Sequence, residues 1–277
     1  MNLDDRHKLL DLIEKYALKK RSKVAIGIRE PTSKMLRSIE SAHNENYAEV
    51  VLVGNRKDIE KKGTTLEIIN SNVPEKTIIE LLKTDTIDAV VRGTAYSSDT
   101  ISNLKKSCGL EKIYRISLLL THDGTPFFLA PVGIDEGGCI EDKIELINRG
   151  VTYMRKLDIE PVVGILSGGR FSDIGRDARV DCTMRDAEIV AERIKKQGIS
   201  VTHYSILIED AIKNANFIIA PDGISGNLIF RTLVFLGGGD GVGAPILMDK
   251  YIFIDTSRVG GHWKKAIMLA SALVNIK

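Results

Sequence analysis

Cysteine is nearly absent from this chain. Cys108, Cys139 and Cys182 are the three among 277 residues, and their wide spacing excludes both a disulfide scaffold and the close pairs of a zinc site. They read as free thiols; Cys182, beside a glycine-rich stretch, reads as a buried thiol, with a nucleophile as the alternative. Long apolar runs are missing too. Phe127–Val132 is among the longest and falls far short of the roughly 20 residues that cross a bilayer. The amino-terminal segment is charged and carries no cleavable apolar stretch, so no membrane is expected and the cytoplasm is the expected location. A net charge of +2 is too small to imply a nucleic-acid surface. The basic residues at 19–23 and Lys195-Lys196 fall at ends of predicted helices, where cations complement the dipole. Neither Gly-x-x-x-x-Gly-Lys-Ser/Thr nor Gly-x-Gly-x-x-Gly follows a strand, which argues against P-loop and nicotinamide chemistry. Asp123, Asp135, Glu136, Asp222 and Asp240 are scattered acids that turn chemistry explains, so no metal site is expected.

What is present is an alternation of short apolar strands with helices. Leu9, Leu12, Ile13 and Tyr16 recur at helical spacing, and the strand Val24–Ile28 follows. Strands are predicted at 49–53, 65–69 and 89–92, with helices at 34–41, 74–83 and 99–106. This pattern argues for a parallel sheet covered on both faces. It changes at 114–121 and 126–132, two strand-like runs joined by His122-Asp123-Gly124-Thr125, a good hairpin signal. A helix over about 140–157, a strand at 162–166, a helix over 184–197 capped by Thr183 and ended by Gly198, and a strand at 217–220 complete the alternation. No internal repeat is evident. At this length one large or two smaller domains are both open, and two intertwined α/β lobes are expected: 1–120 with 249–277, and 121–248.

Three glycine-rich turns follow predicted strands. The first is Pro221-Asp222-Gly223 with Ser225-Gly226-Asn227, where backbone N–H groups and the positive end of a helix dipole would face one point, a geometry that favours an anion. The second is Ser167-Gly168-Gly169-Arg170, running on through Arg176. The third is Ser257-Arg258-Val259-Gly260-Gly261, leading to His262. A single such turn is common packing chemistry in any α/β protein. Three at carboxyl ends of strands, where open α/β sheets bind ligands, suggest a phosphate-bearing small molecule.

These segments carry a resemblance. PDGISGNLIFRTLVFLGG resembles the signature of the phosphate acyltransferases, namely phosphotransacetylase, phosphotransbutyrylase and the acyl-carrier-protein-dependent enzyme. Residues 23–55, ending in VVLVGN, resemble that family's opening strand, helix and strand. VVRGTAYSS, with Gly93 and Ser97, stands in the place of its Gly-Ala-x-His element, ILSGGRFSD in that of its Leu-Ser-x-x-Thr loop, and Ser257-Arg258 matches its Ser-Arg pair. The departures are Tyr96 in place of histidine and Lys264 where the acetyltransferases have an aspartate proposed to deprotonate coenzyme A. A closer resemblance, in length and in these departures, is to the archaeal methanogenesis-marker proteins called Mtx subunit X, which are named as methyltransferase-related.

The resemblance implies an isocitrate/isopropylmalate dehydrogenase-like fold of two lobes, with the loops meeting in the cleft between them and the second lobe forming a homodimer. It implies acyl transfer between phosphate and a thiol. Coenzyme A and phosphate are then expected as substrates, with no tightly bound cofactor. Arg258 would bind phosphate, Ser257 would donate to the developing oxyanion, and His262 would be either the base or a turn histidine. Gly93, Ser97, Ser167, Gly168, Arg170, Arg176, Asp222, Gly223, Ser225, Gly226 and Asn227 would line the ligand, although Arg170 and Arg176, each taken alone, read first as surface ion pairs. The alternative is an accessory protein of methanogenic methyl transfer, with a methyltransferase as partner, that binds a phosphorylated ligand without this catalysis.

Overall fold

A computed structural model describes residues 3–258 and 261–276. They form two compact units, one of residues 10–113 with 242–276 and the other of residues 3–9 with 114–241.

In chain order, α1 (Leu9–Ala17), β1 (Ser22–Ile28), α2 (Ser33–Asn44), β2 (Ala48–Gly54), α3 (Arg56–Glu60), β3 (Glu67–Asn70), α4 (Pro74–Lys83), β4 (Ala89–Val91) and α5 (Ser97–Cys108) open the first unit. The second contains β5 (Ser117–Leu120), β6 (Pro126–Ala130), α6 (Ile140–Lys156), β7 (Val162–Ile165), α7 (Ala178–Lys196), β8 (Ser200–His203), α8 (Ile208–Asn214), β9 (Phe217–Ile219) and α9 (Gly223–Phe235). The chain then returns through β10 (Asp240–Pro245), β11 (Ile252–Asp255) and α10 (Trp263–Ile276).

Strands of the first unit run in the order β3-β2-β1-β4-β11-β10. All pairs are parallel except β10 with β11. Their unbroken apolar runs require cover on both faces, and Ala25, Val53, Ile78, Val90 and Phe253 are buried together. A fully buried side chain such as Phe253 contributes about 1.5–3 kcal/mol. In the second unit the order is β5-β6-β9-β7-β8, with β5 and β6 the antiparallel hairpin that Asp123-Gly124 signals. Leu119, Phe127, Leu129 and Ile218 fill its core. The structure is thus an α/β fold in which mixed sheets are flanked by helices.

The units are bounded differently from the expected division. A cut after residue 120 would separate β5 from β6, whose pairing from Ser117↔Leu129 to Leu120↔Pro126 keeps the hairpin whole. The first residues join the second unit because Arg6 donates to the carbonyls of Ile212 and Ala215, at 2.6 and 3.2 Å. Two further expectations change. Helix α7 begins at Ala178, capped by Asp177, whose side chain accepts from the N–H groups of Arg179 and Val180. Thr183 is therefore inside the helix, where its hydroxyl donates to the Val180 carbonyl and accepts from the Gly168 N–H. Cys182 is exposed on the same helix rather than buried, and accepts a hydrogen bond from Arg185 at 3.3 Å.

Candidate functional site

β1, β4 and β11 are parallel neighbours, so their carboxyl ends emerge side by side. Arg29 follows β1, Arg92-Gly93-Thr94 follows β4, and Thr256-Ser257-Arg258 follows β11. Gly93 has φ +64°, and an added Cβ would fall 2.2 Å from the Gly27 carbonyl oxygen, so only glycine fits where β4 leaves the sheet. Arg92 ties these ends together. It ion-pairs with Asp255, donates to the Ala95 carbonyl at 2.7 Å and also donates to the Thr256 carbonyl.

On this frame Tyr96 is flanked by two guanidinium groups. That of Arg29 lies 5.1 Å from the ring centroid and that of Arg258 5.6 Å, within cation–π range. Arg29 is already neutralised: its Nε and Nη2 donate to the two oxygens of Glu75, at 2.9 and 2.8 Å. Glu75 is fully buried and also accepts from the Tyr96 N–H at 2.8 Å. Burial pushes its carboxyl upward, but the Arg29 guanidinium and the Tyr96 N–H outweigh that and hold it below the usual range. Arg258 is exposed, Ser257 and Ser97 are half-buried, and Tyr96 is partly exposed. Val259 and Gly260 of the expected loop lie outside the described residues. His262 precedes α10 and is half-buried. Lys264 Nζ lies 2.6 Å from Glu45 Oε1.

The turn at α9 has a different character. An added Cβ at Gly223 would fall 1.6 Å from the Gly133 carbonyl oxygen, and one at Gly226 would fall 1.8 Å from that of Pro131. These glycines let the helix start lie directly against the 131–133 backbone. Asp222 caps the helix by accepting from the Ser225 N–H at 2.7 Å, and Asn227 donates to the Val132 carbonyl at 3.0 Å. The N–H groups of Gly223 and Gly226 are bonded to the carbonyls of Glu136 and Asp222. Four of the donors that the sequence offers to an anion, the N–H groups of Gly223, Ser225 and Gly226 and the Asn227 amide, are therefore already engaged. Beneath this turn the Arg115 Nε donates to Glu136 Oε1 at 2.6 Å in a buried pair. Burial raises the Glu136 carboxyl despite Arg115.

In the remaining loop, Arg176 pairs with Asp173 at 2.5 Å and is exposed, as is Arg170. Gly168 N–H donates to Thr183 Oγ1 at 2.8 Å, and Ser167 is buried. Gly93, Ser97, Ser257, Arg258 and His262 thus lie in one unit, and Ser167, Gly168, Arg170, Arg176 and the Asp222–Asn227 turn in the other. Reading the sequence missed Arg29, Glu75 and Arg92, together with His203 and Glu188. The position of Arg29 immediately after a predicted strand was the available signal. Among the described residues no group of three His, Cys, Asp or Glu side chains could hold a metal ion, and no helix is long and apolar enough to cross a membrane.

The fold is one that phosphotransacylases share. A phosphotransacetylase from Streptococcus pyogenes matches at TM-score 0.69 and 18% identity, over 96% of this chain and 98% of that one. A phosphotransacetylase from Staphylococcus aureus matches at 0.67 and 15%, over 96% and 98%. A 4-hydroxythreonine-4-phosphate dehydrogenase from Klebsiella pneumoniae follows at 0.58 and 9%, over 92% and 100%. No protein-family profile matches the sequence. Relatives in sequence are narrower in kind, and the chain belongs to the family of archaeal proteins named, provisionally, methyltransferase Mtx subunit X. It is 59% identical to the Methanosarcina mazei member over 97% of this chain and 96% of that protein. It is 39% identical to a protein of Methanocaldococcus jannaschii, named an uncharacterized methyltransferase, over 75% of this chain and 85% of that protein.

Proposed function

We propose that the chain binds phosphate or a phosphate-bearing ligand at Arg258 and transfers an acyl group between phosphate and a thiol such as coenzyme A. The observation that carries this reading is the exposed Arg258 guanidinium beside Tyr96, where β4 and β11 end. A guanidinium offers a planar fork to two phosphate oxygens and stays charged, and strand ends are where such sheets bind ligands. Ser257 would donate to the carbonyl oxygen as it becomes an oxyanion, and His262 would take the thiol proton. Within the other unit, Arg170, Arg176 and the N–H groups about Gly168 are proposed contacts for further phosphates. The bonds already made inside the Asp222–Asn227 turn shift the weight of the reading toward Arg258.

An accessory role beside a methyltransferase of methanogenic metabolism is the second reading, favoured by one observation. The position of the acetyltransferase aspartate holds Lys264, paired with Glu45, and a protonated amine accepts no proton. On either reading the protein works in the cytoplasm, holds no tightly bound cofactor and has a fold of the isocitrate/isopropylmalate dehydrogenase type, which the dehydrogenase neighbour supports. A homodimer through the second unit is also proposed. Helix α9 leaves Ile224 and Leu228 59% and 60% exposed, with Leu236 84% exposed just beyond it, apolar surface that a second copy would cover.

Calorimetric titration of wild type and Arg258→Ala with phosphate and with coenzyme A tests this, alongside an assay of acetyl transfer from acetyl phosphate. Binding with turnover supports acyl transfer, and binding without turnover supports the accessory role. Wild type that binds neither ligand rejects both.

A further inference from the structure

Ser167, His203 and Glu188 form a hydrogen-bonded series that the phosphate reading does not use. β7 and β8 are parallel neighbours with Ile165 in register with His203, so the residues leaving β7 pass beside the end of β8. The Ser167 N–H donates to the Ser205 carbonyl at 2.8 Å, which fixes the start of the loop. α7 packs on β8 and presents Glu188 to the imidazole.

His203 Nδ1 lies 2.5 Å from Glu188 Oε1, and Nε2 lies 2.8 Å from Ser167 Oγ. A carboxylate only accepts, so Nδ1 carries the proton, and in the neutral ring the Nε2 lone pair faces the seryl hydroxyl. Other acceptors near that hydroxyl are Met184 Sδ at 2.8 Å and the Gly169 carbonyl at 3.4 Å. A thioether is a weak acceptor and the second contact is long, so neither competes well with an imidazole nitrogen. Both ring nitrogens are bonded, in the order carboxylate, imidazole, hydroxyl that activates a nucleophile.

We propose that Ser167 is an activated nucleophile, with His203 as its base and Glu188 as the group that orients the ring, forming an acyl-transfer site for an ester or thioester. In the first step Ser167 Oγ bonds to the acyl carbon and its proton passes to His203 Nε2. The bond to the alkoxide or thiolate breaks, and that group leaves with the proton. Water then adds to the acyl-serine with His203 taking its proton, the ester C–O bond breaks, and the proton returns to Oγ as the carboxylic acid departs. The Ser167 hydroxyl is covered in this structure: the residue is 2% exposed. Phe171, 57% exposed, packs its ring edge-on against His203 with centroids 5.3 Å apart, and its displacement opens the series to a substrate.

The full-length chain is treated with a fluorophosphonate probe, which phosphonylates an activated serine with loss of fluoride and a proton, and the adduct is located by peptide mass mapping. The expected result is an adduct on Ser167 that forms at least about 10²-fold more slowly in His203→Ala, the lower range for general-base assistance. Glu188 is 58% exposed, so Glu188→Gln keeps the fold. This variant is expected to label more slowly, with the rate partly restored in Glu188→Asp, which keeps a carboxylate acceptor for the ring. Phe171→Ala is expected to label faster. Absence of a Ser167 adduct in both wild type and Phe171→Ala overturns the proposal, as does labelling whose rate ignores both His203→Ala and Glu188→Gln.

Discussion

Lys264 Nζ sits 2.6 Å from Glu45 Oε1, and the same residue's backbone N–H donates to Ser38 Oγ at 3.2 Å. The start of α10 is thereby tied to α2 and to the residue that ends it. The Lys264 hydrogen bond is the largest of the influences that hold the Glu45 carboxyl below its ordinary range. A cation in this state cannot deprotonate a thiol. Acetyl transfer from acetyl phosphate to coenzyme A is therefore expected to rest on His262, slow in the wild type and largely lost in His262→Ala in a thiol-release assay, and Lys264→Asp is expected to raise it. Turnover at about 1–10³ s⁻¹ in the wild type, surviving in His262→Ala, would show that another base operates.

Arg258→Ala should weaken phosphate binding by about 1.5–3 kcal/mol, the range for hydrogen bonds to a charged group. Calorimetry reads this directly, and equal affinities in the two proteins would remove Arg258 from the site.

Gly226→Val and Gly223→Ala should each destabilise the fold by about 1–3 kcal/mol or more, because the new carbon atoms would overlap the Pro131 and Gly133 carbonyls. Thermal denaturation measures the loss. A melting temperature unchanged in both variants would contradict the close contact of α9 with the 131–133 backbone.

Glu75 gives a pH dependence with a defined sign. Its carboxyl is depressed in the folded state through Arg29 and the Tyr96 N–H, which outweigh burial. The stability it contributes is thus present above the ordinary glutamate value of about 4.3 and is lost as pH falls through the lower folded value. Urea titrations below about pH 5 should show that part of the acid loss in wild type and not in Glu75→Gln. The variant should also be less stable at pH 7, since it breaks a buried pair.

Much of the fold was legible in the sequence because its signals are local. The apolar run from Val24 to Ile28 can only be a covered strand, and Asp123-Gly124 between two such runs can only turn a hairpin. Short elements escaped notice. β8 alternates exposed and half-buried residues, and β10 is rich in glycine, so neither offers the apolar pattern on which a strand is read. Thr183 has the chemistry of a cap, but Asp177 lies six residues upstream of it and has the same chemistry. Which of the two begins α7 depends on where the helix packs.

The sequence by itself determined the alternating α/β class, the strand-end position of the three turns and the identity of the groups they carry, because periodicity and residue type act over a few neighbouring positions. Only the tertiary structure decided what those groups do. The glycines of the Asp222–Asn227 turn, read as room for an anion, are filled by carbonyls almost a hundred residues earlier in the chain. His203, which no motif marked, meets Ser167 and Glu188 because β7 and β8 are in register and α7 lies over them. Close approach and hydrogen bonding between distant segments are set by packing, and packing is not written in any short stretch of residues.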